Sequence, residues 1–188
     1  MGDLNFMLQS RGGTVMPAGV ILRGERLVLR PPSLRDAGLI ALYASDARVA
    51  SMLARVPHPY PPGAAEAFVE SALKDGPETH WVMDYAADDE SELVGLISLK
   101  DVGDGTGVIG YWVAPQLWGG GFASEATELV VEYARTSGFQ RLEASVHQGN
   151  DASAKVLTKA GFDYIGESEQ HSLYHKGMVP TWSYELVL

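Results

Sequence analysis

Apolar positions along the chain change period several times, and the changes mark its elements. Phe122, Ala126, Leu129, Val130, Tyr133 and Ala134 recur at intervals that stack them on one stripe of an α-helix, and Gly138 supplies its stop. Ahead of that helix, Val108–Ala114 is an unbroken apolar and aromatic run, which predicts a central strand buried on both faces. Beyond it, Arg141–His147 reads as another strand. Strand, helix and strand make a βαβ unit, whose crossover is right-handed and whose strands lie parallel.

Upstream the runs are shorter. Leu27–Arg30 is strand-like and is stopped by Pro31-Pro32, after which Ser33-Leu34-Arg35-Asp36 reads as a capping box opening a helix to about Ala44. A short helix is expected over Asp46–Ala54, a loop over the proline-rich Val56–Pro62, and a third helix over Ala64–Leu73, the three helices together resembling a lid. His80–Tyr85 and Leu93–Lys100 form a hairpin joined through the acidic turn Asp88-Asp89-Glu90. Downstream, Asn150 or Asp151 caps a helix through Ala160, Gly161 ends it, and Phe162–Ile165 and Trp182–Leu188 complete the sheet. Met1–Gly19 lacks sustained periodicity and reads as a flexible tail, leaving 20–188 as a single domain.

A length of 188 residues with 46% hydrophobic content suits one domain with a real core. No apolar run approaches the roughly 18 residues of a membrane span, and no signal-peptide pattern opens the chain, so it reads as soluble, without a membrane partner. The absence of cysteine excludes disulfides, thiolate metal sites and a cysteine nucleophile, and agrees with a cytoplasmic setting. A formal net charge of -10 argues against nucleic acid as a partner and suits a cationic acceptor, although acidic charge also serves solubility.

Two glycine clusters compete for the chemistry. Gly105-Thr-Gly107-Val-Ile-Gly110 matches a dinucleotide pattern but precedes a strand instead of opening a helix, as a hairpin turn would. Gln116-Leu-Trp-Gly119-Gly120-Gly121 follows a strand and opens a helix, where unpaired N–H groups and the helix dipole receive anions. No Gly-Lys-Ser/Thr follows it, so it is not a nucleotide P-loop. His171 and His175 have the spacing of metal ligands on a helix, but they sit in a loop-like segment without a third ligand, and no metal is expected.

Gln116-x-x-Gly119-x-Gly121 is similar to the signature by which GNAT acetyltransferases hold the CoA diphosphate. Gly110–Ala126, Arg141–Ala144, Asn150-x-x-Ser153 and Lys159–Phe162, in this order, resemble the ribosomal-protein N-terminal acetyltransferase branch of that superfamily, and the likeness extends to Leu27–Arg35. The resemblance implies an α+β (mixed α/β) three-layer fold, with a central, mostly antiparallel sheet splayed around an acyl-CoA site and helices on both faces. It implies acetyl-CoA as co-substrate and a primary amine, on a protein N-terminus or a small molecule, as acceptor. A homodimer is compatible with it.

The same resemblance implies that backbone groups near Trp112 and Val113 bond the pantetheine arm, and that Gln116, Gly119, Gly120, Gly121, Phe122 and Ala123 surround the diphosphate. Asn150 and Ser153 would lie near the pantetheine arm, although Asn150 also fits plain helix capping. Attack of a neutral amine on a thioester needs a base and an oxyanion donor, the latter available as a backbone N–H at Tyr111 or Trp112. Many relatives carry Glu where Val108 stands and a thiolate-protonating Tyr where Leu157 stands. The base candidates that remain are Glu143, His147 and His80, with a water chain as the alternative and Tyr111 and Ser153 completing the catalytic set. The departures at Val108 and Leu157 also leave open a catalytically weak CoA-binding regulatory module.

Overall fold

The computed structural model describes residues 16–85 and 92–188. Among them run strands β1 (Leu22–Arg23), β2 (Leu27–Arg30), β3 (Glu78–Tyr85), β4 (Glu92–Gly103), β5 (Thr106–Val113), β6 (Arg141–His147), β7 (Asp163–Ser172) and β8 (Gly177–Val187). The helices are α1 (Ala37–Ala44), α2 (Ala47–Ala50), α3 (Ala64–Ala72), α4 (Phe122–Thr136) and α5 (Asp151–Lys159). The strands make one sheet in the order β1-β2-β3-β4-β5-β6-β8-β7. Within the described residues β5 and β6 are the parallel pair, joined by α4 as the βαβ pattern predicts, and the other neighbours are antiparallel.

Period explains which side each element covers. On one face, Phe122, Ala126, Val130 and Ala134 of α4 and Leu157 of α5 pack on Leu29, Trp81, Met83, Ile97, Leu99, Ile109 and Leu142. On the other, Ile40 and Tyr43 of α1 and Val69 of α3 cover Val82, Leu96 and Ala114, with Trp112 at the margin. The sheet is therefore the middle of three layers.

β5 and β6 share only three register pairs, Thr106 with Arg141, Gly107 with Leu142 and Val108 with Glu143. β5 nevertheless stays with β4 as far as Val113, and β6 with β8 as far as His147. The two strands part from Val108 and Glu143 onward, and the sheet opens there into a V.

Several expectations are corrected. Strand β5 is not buried on both faces: Gly110 is exposed and Tyr111 and Trp112 are half-buried, because β6 has left its side. The second helix spans only Ala47–Ala50, since the carbonyls of Ser51, Leu53 and Ala54 turn away to accept bonds from His147, His175, Ser172 and Leu173. β7 and β8 run far past their expected bounds, through the segment read as a loop. Polar residues on both faces of the edge strand β7 hid its period. Residues 1–15 of the expected tail and the acidic turn at 88–90 lie outside the described residues, whereas Met16 is buried and bridges Gly76.

One ion cluster fixes the entry to the lid helices. Arg30 donates Nη1 and Nη2 to Asp36 at 2.8 Å each and Nε to Asp84 at 2.5 Å, and Asp36 also accepts the Ser33 N–H and hydroxyl. Burial works to raise the Asp36 carboxyl, but Arg30 and Ser33 outweigh it and hold the group below its ordinary value. A depressed carboxyl contributes stability above its unfolded-state pKa of about 3.9, and the contribution disappears as pH falls through the folded-state value. Arg30→Met should cost roughly 3 kcal/mol at neutral pH in urea denaturation, because it strands a buried carboxylate, and the deficit should shrink toward acid pH.

Candidate active site

The V between β5 and β6 is a break in an otherwise continuous ladder, and hydrogen-bond parity shows which groups it leaves open. Ala114 N–H bonds Val94 C=O, so Trp112 and Gly110 turn their main-chain groups to β4, whereas Tyr111 and Val113 turn theirs into the V. Likewise Gln148 bonds Pro180 and Leu188 bonds Gln140 across β6 and β8, which aims the groups of Ser145 and His147 into the V from the other side. Two of these are already taken. Val113 C=O accepts Trp118 Nε1–H at 2.8 Å and His147 C=O accepts Asn150 N–H at 3.0 Å. Tyr111 N–H and C=O, Val113 N–H, Ser145 N–H and C=O and His147 N–H still face the opening, ready for an extended, amide-bearing chain.

The V leads up to the glycine turn. Gly119 and Gly121 hold φ of +81° and +80°, a region that favours glycine, and Gly121 caps α4, whose first N–H groups at Phe122 and Ala123 lack intrahelical partners. Gln116 does not project freely toward this turn: its Nε2 donates to the Tyr43 hydroxyl at 2.8 Å, tying the turn to α1. Gly120 is exposed, and a Cβ there would meet the Phe122 ring at 2.9 Å. The sequence reading missed Arg26 at this place. Its guanidinium reaches Glu125 and the Gly120 carbonyl, and nothing in the local pattern of Arg23-Gly-Glu-Arg26 signals a contact so distant along the chain.

Below the V, on the α4–α5 side, Tyr111 donates its hydroxyl to Ser153 C=O at 3.2 Å, linking β5 to the first turn of α5. Burial pushes the Tyr111 phenol up to about 12, so it stays protonated at neutral pH. Asn150 accepts Ser153 N–H at 3.2 Å as the cap of α5, which engages its side-chain oxygen in capping. Leu157 is fully buried in the core, away from any proton-transfer role.

Above the V, register puts Glu143, Ser145 and His147 on one face of β6, alongside Val108, Gly110 and Trp112 of β5. Glu143 stands directly beside Val108 at the vertex, half-buried, and has no hydrogen-bond or ion-pair partner among the described residues. His147 is buried at the far end. Its Nδ1 lies 3.0 Å from Ser51 C=O, as does His175 Nε2, and a carbonyl can only accept, so Nδ1 carries the proton and Nε2 is left without a partner among the described residues. Burial lowers the His147 imidazole, against a smaller upward pull from the Ser51 bond.

His80 belongs to another group on this face. It stands opposite Ser98, which stands opposite Gly110, and its ring meets Phe68 edge-on at 5.0 Å. Burial lowers it against the pull of Glu78, which is itself forked to Arg55 at 2.7 and 2.5 Å. Glu143, His147 and His80 thus share a face but not a cluster. Arg55, Glu78 and Ser98 were not foreseen as neighbours of the site. His171 lies in β7 and His175 in the turn after it, so the two do not share a helical face. Of the other glycine cluster, Gly105 closes the β4–β5 hairpin turn, where Gly103, Asp104 and Gly105 hold positive φ, whereas Gly107 and Gly110 lie inside β5 and not before it, and the cluster opens no helix.

Comparison with known proteins gives the family and the fold. The family described as acetyltransferase (GNAT) domain matches residues 26–163. An uncharacterized N-acetyltransferase, p20 of Bacillus licheniformis, is 30% identical over 145 residues, which cover 76% of this chain and 82% of that protein. Among solved structures, the microcin C7 self immunity acetyltransferase MccE in complex with acetyl-CoA and AMP aligns with a TM-score of 0.76 at 18% identity, covering 93% of this chain and 98% of that one. The ribosomal L7/L12 α-N-protein acetyltransferase RimL in complex with coenzyme A aligns with a TM-score of 0.76 at 17% identity, covering 90% and 98%. At these identities the likeness is one of fold.

Gly110 offers a direct test of where the reacting groups lie. A Cβ there meets only Ser98 Oγ, at 3.7 Å, and valine suits a strand, so Gly110→Val should fold with a melting temperature within a few degrees of wild type. By crowding the upper side of the V it should lower kcat/KM by at least about tenfold, since small displacements of reacting groups are costly. Unchanged turnover would place the chemistry elsewhere.

Proposed function

The chain belongs to the acetyltransferase (GNAT) family, and from that premise we propose that it carries the acetyl group of acetyl-CoA to a primary amine by direct attack in a ternary complex. Acyl transfer to amines is the family's chemistry; the residue roles are our reading of the geometry. The carrying observation is the break between β5 and β6, whose open main-chain groups run from the vertex at Val108 and Glu143 up to the glycine turn. Pantetheine is an extended arm with two amides, and it supplies the partners that such an opening lacks. Its diphosphate would sit against Gly119, Gly120, Gly121, Phe122 and Ala123, where helix α4 presents N–H groups and the positive end of its dipole.

The chemistry then needs no covalent enzyme intermediate. The amine nitrogen attacks the thioester carbon, the oxyanion is met by the Tyr111 N–H, and Glu143 takes the proton that the nitrogen sheds. The C–S bond breaks, the thiolate leaves and is protonated by water, and the amide departs. Glu143 is preferred over the two histidines because it borders the vertex and has no partner among the described residues, whereas His147 is sealed behind Ser51 and His80 lies two strands from the V. Trp112 contributes its side chain to the acceptor wall, edge-on to Tyr43 at 6.2 Å, while its main chain belongs to the ladder with β4.

The acceptor belongs to the amine class, and the ribosomal-protein N-terminal branch makes a protein N-terminus the first choice, a small amine the second. We further read the described chain as one acetyltransferase domain working in the cytoplasm, without a metal.

Two variants test the assignment. Glu143→Gln should lower kcat by roughly a hundredfold or more and flatten the acid limb of the pH–rate profile, measured as amine-dependent thiol release from acetyl-CoA; an unaltered profile removes Glu143 as base. Gly119→Asn, whose side chain tolerates positive φ, should preserve the fold and weaken CoA binding by at least about tenfold in calorimetry. Wild-type binding of acetyl-CoA without thiol release across a broad panel of amines and N-terminal peptides would favour the regulatory CoA-binding module instead.

A further inference from the structure

A carboxylate sits where a diphosphate-binding turn can least accommodate one. Glu125 occupies the first turn of α4, so it draws on the same positive field that would attract the donor's diphosphate, and it adds repulsion. It cannot escape by protonation. Burial works to raise the Glu125 carboxyl, but the N–H groups of Arg26 and Leu27 and the Arg26 guanidinium outweigh this and hold it below its ordinary value. The turn's other negative end is the Gly120 carbonyl, which in a different rotation of the peptide would face the incoming anion.

Arg26 meets both. Its Nε donates to Glu125 Oε2 at 2.9 Å, its main-chain N–H and that of Leu27 donate to Oε1 at 2.7 and 2.9 Å, and its Nη1 donates to Gly120 C=O at 2.8 Å. The guanidinium lies over the Phe122 ring, 5.0 Å from its centroid, which limits its movement. In a trans peptide the C=O and N–H point to opposite sides, so anchoring the Gly120 carbonyl on Arg26 aims the Gly121 N–H away from Arg26. Positive φ at Gly119 and Gly121 makes that peptide orientation accessible.

We propose that Arg26 is a positioning residue for the donor: by holding the Gly120 carbonyl and neutralising Glu125, it leaves the α4 N-terminus presenting only N–H donors to the diphosphate. The proposal rests on the diphosphate binding at this turn. Arg26 reaches it from the start of the family match, in the turn between β1 and β2, which makes that turn part of the donor site.

The test compares acetyl-CoA with S-acetylpantetheine, which keeps the thioester and both amides but lacks the diphosphate. KM and kcat are measured for wild type, Arg26→Ala, Glu125→Gln and the double variant, with melting curves for each. Arg26→Ala should raise the KM for acetyl-CoA by about tenfold, and the corresponding loss for S-acetylpantetheine should be several-fold smaller, because only one donor carries the repelled charge. Adding Glu125→Gln, which keeps an oxygen for the Arg26 and Leu27 N–H groups but removes the charge, should recover most of the acetyl-CoA affinity. Equal losses for the two donors, or no recovery in the double variant, would overturn the proposal while leaving the donor assignment intact. A wild-type enzyme that uses S-acetylpantetheine as well as acetyl-CoA would remove the diphosphate site and the proposal together. Should Arg26→Ala not fold, Arg26→Gln gives the same ratio.

Discussion

The rest of this molecule is arranged around a ladder that stops. Three register pairs join β5 to β6, and beyond Val108 and Glu143 each strand keeps its outer neighbour and loses its inner one. Unpaired main-chain groups in a sheet interior are costly unless something meets them, so the opening needs either water or a ligand with matching amides. What surrounds the V can be understood as holding it at that width. Tyr111 reaches under it to Ser153, Trp118 ties the turn above β5 back to Val113, and the α5 cap returns to His147. Each strut uses a group that would otherwise face the gap or its rim.

Charge follows the same geometry. The α4 N-terminus is useful to an anion only if the turn in front of it is free of negative ends, and the chain places there both a carboxylate and the Gly120 carbonyl. Arg26 resolves both contacts with one planar group, which a lysine's single ammonium could not match in geometry. On the lid side, Arg30 plays a comparable structural part, gathering Asp36 and Asp84 so that the chain can turn from β2 into the helices that cover Trp112. Two arginines of one short segment thus serve the sheet's two faces.

Much of this was legible in the sequence where period or punctuation was strong. The α4 stripe, the βαβ unit, the Asn150 cap and the glycine turn follow from spacing and from glycine's tolerance of positive φ, and each is a local signal. The splay came only through family resemblance, since composition carries no record of where a ladder ends. β7 and β8 were read too short because an exposed edge strand need not alternate, and α2 too long because helix propensity could not reveal that the carbonyls after Ala50 are claimed by His147 and His175. Gln116 and Arg26 show the same limit: their partners, Tyr43 and Glu125, are far along the chain, and only the fold brings them together.

On the proposed reading, the vertex takes its acid from β6 rather than from β5. Val108 and Glu143 are register partners on adjacent parallel strands, with side chains on the same face and strand axes about 4.8 Å apart. A carboxylate carried by either strand would therefore reach the same space above the opening, and with valine at 108 the acidic side chain there is Glu143 of β6. The neighbouring strand constrains this further. Glu185 stands opposite Glu143 on β8, but Arg141 holds it at 3.5 Å, which reduces its repulsion at the vertex. On the proposed reading, an acid without a partner among the described residues, a strand's break and a peptide N–H facing the gap meet at one place, the combination that deprotonating an amine beside a polarised thioester requires.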